Sequence, residues 1–168
     1  MRKIGEYVVY GGNGVMVVVD IKEESFGGVT RSYYVLRDVS SNSESLTYVP
    51  TDSAVLVSQM RPLLTKDEVL NVIKNAKDAS DCEWAKDNRA RTEIFKRILE
   101  SGDRVKLISM IRTIYNAGLK REAEGKKNFV SDENAKQRAE KLIFSEFSIV
   151  LEMPETEVSE FIKKEMNK

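Results

Sequence analysis

The spacing of hydrophobic and polar positions changes near residue 62. Before it, apolar residues alternate or run in short blocks broken by glycine, serine and proline; after it, they recur every three or four positions among charged residues. Glu6 to Tyr10 is a short β-prone run ending in Gly11, Gly12, Asn13 and Gly14, a cluster that supplies the positive φ of a tight connection. Val15 to Ile21 is almost continuously apolar, as in a strand buried on both faces or curled around a small barrel. Phe26, Gly27 and Gly28 mark the next reversal, and Arg31 to Val39, rich in tyrosine and valine, is a third strand broken by Ser40 to Ser43. Leu46 to Val49 is a fourth, stopped by Pro50, and Ala54 to Val57 a short fifth. A meander of this length must curl to bury one face, so residues 1–62 are expected to form a small SH3-like or Tudor-like β-barrel.

Residues 63–168 read as helix. Thr65 followed by Glu68 makes a capping box, which predicts a helix from Lys66 to about Lys77 with Val69, Leu70 and Ile73 inward. Ser80 and Glu83 repeat the signature ahead of a second helix that carries Ile94, Phe95, Ile98 and Leu99 on one face and ends at Ser101 and Gly102. Asp103 caps a third, whose wide stripe of Val105, Leu107, Ile108, Ile111, Ile114, Tyr115 and Leu119 ends near Gly125. Ser131 caps a fourth with Ala135, Ala139, Leu142, Ile143, Phe147, Val150 and Leu151, and Pro154 opens a fifth with Val158, Phe161 and Ile162. The expectation is an α+β chain of two domains, the barrel followed by a bundle of about five helices.

Composition then narrows the function. With 41% hydrophobic and 32% charged residues in 168, the chain can bury a core under a solvated surface. No apolar run approaches the roughly 20 residues that span a bilayer, and the amino terminus enters a strand pattern at once, so a soluble cytoplasmic protein with no membrane contact is expected. Cys82 is the single cysteine, so no internal disulfide can form, and a small buried thiol is the expected role. There is no histidine. The commonest general base, the commonest metal ligand and every Ser/His or Cys/His pair are therefore missing. With no Gly-rich phosphate loop and no dinucleotide fingerprint either, no catalytic residue, metal site, cofactor or small-molecule substrate is expected.

The formal net charge of zero hides an uneven distribution. Trp84 to Lys127 holds twelve Lys or Arg against six Asp or Glu, whereas Asn128 to Lys168 holds six against nine. Charge alone favours a solvated helix face over a phosphate-tracking surface. Trp84 sharpens the second reading. Its neighbours one helical turn away, Ser80, Asp81, Asp87 and Asn88, do not continue an apolar stripe, and the pattern leaves open whether the indole is buried or exposed. An exposed indole beside Lys86, Arg89 and Arg91 suits DNA: the cations hold phosphates while the apolar plane wedges into the minor groove.

The order Ile4, Gly5, Glu6, Tyr7, Val8, Val9, Tyr10, then Gly14 and Val15, then Tyr33 to Leu36, then Val49 and Pro50 resembles the CarD family of bacterial transcription regulators. Trp84, a basic helix closing on Ser101, Gly102 and Asp103, and a long helix with Ile111, Arg112 and Tyr115 are similar in order and spacing. The barrel motifs resemble those of transcription-repair coupling factors as well; the helical part with its tryptophan separates the two. The resemblance implies a non-enzymatic factor whose barrel docks on the β subunit of RNA polymerase and whose helical domain touches promoter DNA at the upstream edge of the melted region, modulating open-complex stability. Trp84 matches the family's minor-groove wedge, and Lys86 and Arg89 match basic positions near it. A monomer is expected. Glu24 and Tyr48 stand where well-known members carry polymerase-contacting arginines, Asp87 replaces a basic residue, and Gly11, Gly12 and Asn13 replace a turn with Pro and often His. Strand addition along Leu46, Thr47, Tyr48 and Val49 survives such changes, because backbone pairing tolerates side-chain variation. The alternative is a protein-only adaptor with two protein-binding surfaces and no DNA contact.

Overall fold

The computed structural model describes residues 1–168, which divide into two compact units, Met1–Leu64 and Thr65–Lys168. The first unit is an antiparallel sheet of β1 (Tyr7–Tyr10), β2 (Val15–Phe26), β3 (Val29–Asp38), β4 (Leu46–Pro50) and β5 (Met60–Pro62), ordered β4-β3-β2-β1-β5. Gly27 and Gly28, with φ of +60° and +81°, form the two-residue turn that sets Phe26 opposite Val29; glycine takes two such angles in succession without strain. β2 continues past its expected end at Ile21, because Lys22 to Phe26 pair with β3 as a hairpin arm after a register shift between Val18 and Asp20.

The core of this unit is Val8, Met16, Val18, Tyr34, Leu36, Val49 and Met60. The expected barrel is not closed: β4 and β5 end the sheet on opposite sides and do not pair. Ala54 to Val57, expected as a strand, lies within the helix α1 (Ala54–Ser58). Ser53 turns the chain into it by accepting the Leu56 N–H at 3.4 Å, and Leu56 and Val57 pack on the sheet's core. A short helix thus covers the apolar face, the task that closure of the barrel would otherwise perform.

The second unit contains five helices, α2 (Lys66–Asp78), α3 (Asn88–Ser101), α4 (Arg104–Ala123), α5 (Val130–Leu151) and α6 (Glu155–Met166). The Thr65 capping box is present, with Thr65 Oγ1 accepting the Glu68 N–H at 3.2 Å and Glu68 Oε2 accepting the Thr65 N–H at 2.7 Å. Val69 and Ile73 are buried, but Leu70, expected inward, remains exposed. Gly102 ends α3 in the left-handed region, and Asp103 caps α4 through the Lys106 N–H at 3.1 Å. Ser131 does not cap α5, which starts at Val130 with no side-chain cap, and Pro154 occupies the N-cap position of α6. Phe95, Leu99, Leu107, Met110, Ile114, Ile143, Phe147 and Val158 are buried, whereas Tyr115 and Leu119, at the margin of the expected α4 stripe, are exposed. No helix is long and apolar enough to cross a membrane.

Candidate nucleic-acid interface and partner edge

Residues 79–87 form no helix, although Ser80 and Glu83 carry an N-cap signature; α3 starts at Asn88, capped by Asp87 through the Ala90 N–H at 2.9 Å. Tertiary tethers from the face of α4 explain the delay. Ser109 Oγ donates to the Ser80 carbonyl at 2.6 Å, and the Cys82 N–H donates to Thr113 Oγ1 at 3.1 Å. Arg112 donates to the carbonyls of Ala76 at 2.8 Å and Ala79 at 2.7 Å and to the Asp81 carboxylate at 3.0 Å. Backbone groups satisfied this way need no helical partners, and the chain reaches Trp84 in a loop held against α4.

Trp84 is half-buried. Its ring lies 4.6 Å from the Arg91 guanidinium carbon and 6.1 Å, tilted by 57°, from the Phe95 ring. Trp84 also lines an open cleft of about 420 Å³ shared with Asp81, Cys82, Asn116, Lys120, Arg121 and Phe129. The indole therefore has a supported side and an accessible one. Burial pushes the Cys82 thiol up from its ordinary range, which keeps it protonated and unreactive at neutral pH.

Among the four expected DNA-contacting residues, the structure separates Arg91 from the rest. Lys86 and Arg89 are exposed, Lys86 on the Trp84 loop and Arg89 in the first turn of α3. Arg91 is only 1% exposed, so it is not a surface cation and the expected phosphate contact is corrected. Its Nε donates to Asp132 Oδ1 at 2.9 Å, Nη1 to the carbonyls of Ala85 at 2.9 Å and Lys86 at 3.4 Å, and Nη2 to Asn88 Oδ1 at 2.7 Å. Lys120 carries no local signal in the sequence that ties it to Trp84. It is an exposed cation that lines the Trp84 cleft from α4, with the 79–87 loop held against α4 by the tethers from Ser109, Arg112 and Thr113. Only the basic excess of 84–127 pointed toward it.

In the first unit, Leu46, Thr47, Tyr48 and Val49 lie on β4, which pairs with β3 on one side and ends the sheet on the other. Its free side can take another strand. Val49 is buried in the core, and Tyr48 belongs to an aromatic cluster in which its ring is 5.3 Å from Phe26 and 6.0 Å from Tyr33, both edge-on. Lys22, 5.9 Å from the Tyr48 ring, is paired with Glu24 at 2.9 Å. The surface beside this edge thus carries aromatic rings, with Lys22 beside them paired to Glu24. No curated protein matches the chain. Residues 3–64 match the family model of the CarD-like/TRCF RID domain, so the first unit carries a domain of that kind.

Proposed function

We propose that the protein is a non-enzymatic bacterial transcription regulator that binds the β subunit of RNA polymerase through its first unit and promoter DNA through its second, shifting the balance between closed and open promoter. The match of residues 3–64 to the CarD-like/TRCF RID domain carries this reading. It supports RNA polymerase interaction in a CarD-like protein, and the free side of β4 offers a means, the addition of a polymerase strand along Leu46 to Val49.

The DNA half of the reading is supported by a half-buried indole on a tethered loop, with the exposed cation Lys120 lining its cleft and the exposed Lys86 and Arg89 following it closely in sequence. Cations of this kind hold phosphates without reading sequence, while an apolar plane enters the minor groove where bases have unstacked. Equal affinity for closed and opened DNA would shift nothing. A tenfold preference for opened DNA would shift the equilibrium tenfold, about 1.4 kcal/mol.

Promoter opening by polymerase, followed by permanganate reactivity of unpaired thymines with and without the protein, tests the proposal. The native chain is expected to change the opened fraction and a folded Trp84→Ala variant to lose most of that effect. An undiminished effect in that variant would remove the wedge. The protein-only adaptor would then stand, and it further requires that Lys86→Ala and Arg89→Ala leave promoter occupancy unchanged at every ionic strength.

A further inference from the structure

We infer that Arg91 is a positioning residue: together with Asp132 and Phe129 it locks the 79–87 loop so that Trp84 is held in one pose before any partner arrives. The functional half of this inference rests on the DNA reading above; the structural half does not.

The geometry is that of a clasp. One guanidinium reaches four acceptors in different directions: a carboxylate on α5, two carbonyls of the loop directly after Trp84, and the Asn88 side chain at the start of α3. The same group lies 4.6 Å from the Trp84 ring centre and 4.9 Å from that of Phe129, with Arg121 a further 4.0 Å from Phe129. Trp84, Arg91, Phe129 and Arg121 thus alternate ring and cation. Arg121 is held in turn by the Lys127 carbonyl at 2.9 Å. At Gly118 a Cβ would meet the Asn128 side chain at 3.0 Å, so the segment that carries Phe129 approaches α4 as closely as glycine permits. A planar fork with five N–H groups can serve all these partners while stacking on a ring, whereas an ammonium cannot. Asp132 is 4% exposed and neutralises the buried charge, which keeps the fork in place without solvent. Stacked by the clasp and braced by Phe95, the indole lines the cleft that Lys120 borders. Bringing Trp84 to a distorted base step would then require no ordering of the loop, which is the general advantage of preorganisation.

Trp84 is the only tryptophan, so its fluorescence reports this pose without a label. In the native chain, anisotropy is expected to decay almost wholly with tumbling of the protein. A dominant sub-nanosecond component would show a loose indole and overturn the inference whether or not any variant folds. Arg91→Lys keeps a charge for Asp132 and discards the fork; with helical circular dichroism retained, acrylamide quenching of Trp84 is expected to rise at least twofold and a fast anisotropy component to appear. Unchanged quenching and anisotropy in that variant would overturn the clasp. In the promoter assay the same variant is expected to lose at least half of the native effect while still being retained by polymerase. Full promoter activity with a loosened indole would overturn the positioning role. A native chain that binds polymerase but never alters opening would defeat the DNA reading instead, and the fluorescence would still decide the clasp.

Discussion

Glu6 fastens the amino-terminal segment to the sheet. Its carboxylate accepts from the Arg2 guanidinium at 2.7 Å and from the Lys3 N–H at 2.9 Å, while Arg2 also donates to the Met60 carbonyl on β5. The Lys3 N–H and then the Arg2 side chain hold the Glu6 carboxyl below its ordinary value of 4.5. A depressed carboxylate contributes stability that is present above the unfolded value and lost as pH falls through the folded one. Glu6→Gln should therefore destabilise the chain at neutral pH, by no more than about 1 kcal/mol since the group is one-third exposed, and the difference should shrink as pH falls below the ordinary value and through the lowered one. Paired urea titrations at pH 7 and at pH 3 check both halves. Arg91 illustrates a role that local pattern does not carry. In sequence it is one cation in a basic run, and what makes it structural is Asp132, 41 residues away. Lys120 is the converse case, an ordinary helix lysine until folding sets it beside Trp84.

At the scale of elements, short-range chemistry was legible where one local motif decides the outcome. The Thr65 and Glu68 pair set the start of α2, Gly102 and Asp103 set the break before α4, and Gly27 with Gly28 set the β2–β3 hairpin. Two signals misled for opposite reasons. Ala54 to Val57 is too short for an apolar run to reveal its period, and the Ser53 cap with an apolar face on the sheet made it helical. Ser80 with Glu83 is a sound cap that tertiary bonds from Ser109, Arg112 and Thr113 override, so the tryptophan lies in a loop and not on the basic helix. The candidate edge, β4, belongs at this scale too. Leu46 is 44% exposed on it, opposite Arg37. A lysine on an edge strand opposes pairing with another strand. Leu46→Lys is expected to weaken retention of RNA polymerase about tenfold, about 1.4 kcal/mol, while thermal stability moves by less than about 0.5 kcal/mol. Equal retention by a folded variant would move the partner surface elsewhere on the first unit.

At the scale of the whole molecule, the proposed function is divided between the two units. The first carries the CarD-like/TRCF RID domain and an edge flanked by aromatic rings; the second carries a clasped indole with exposed cations. Attachment and promoter action should therefore separate. The most direct measurement is the opened fraction of a promoter under polymerase with the full chain, with residues 1–64 alone, and with both together. The isolated first unit is expected to leave opening unchanged and, in excess, to abolish the effect of the full chain by occupying its place on polymerase. A first unit that shifts opening as strongly as the full chain, or one that fails to compete with it, would contradict the division.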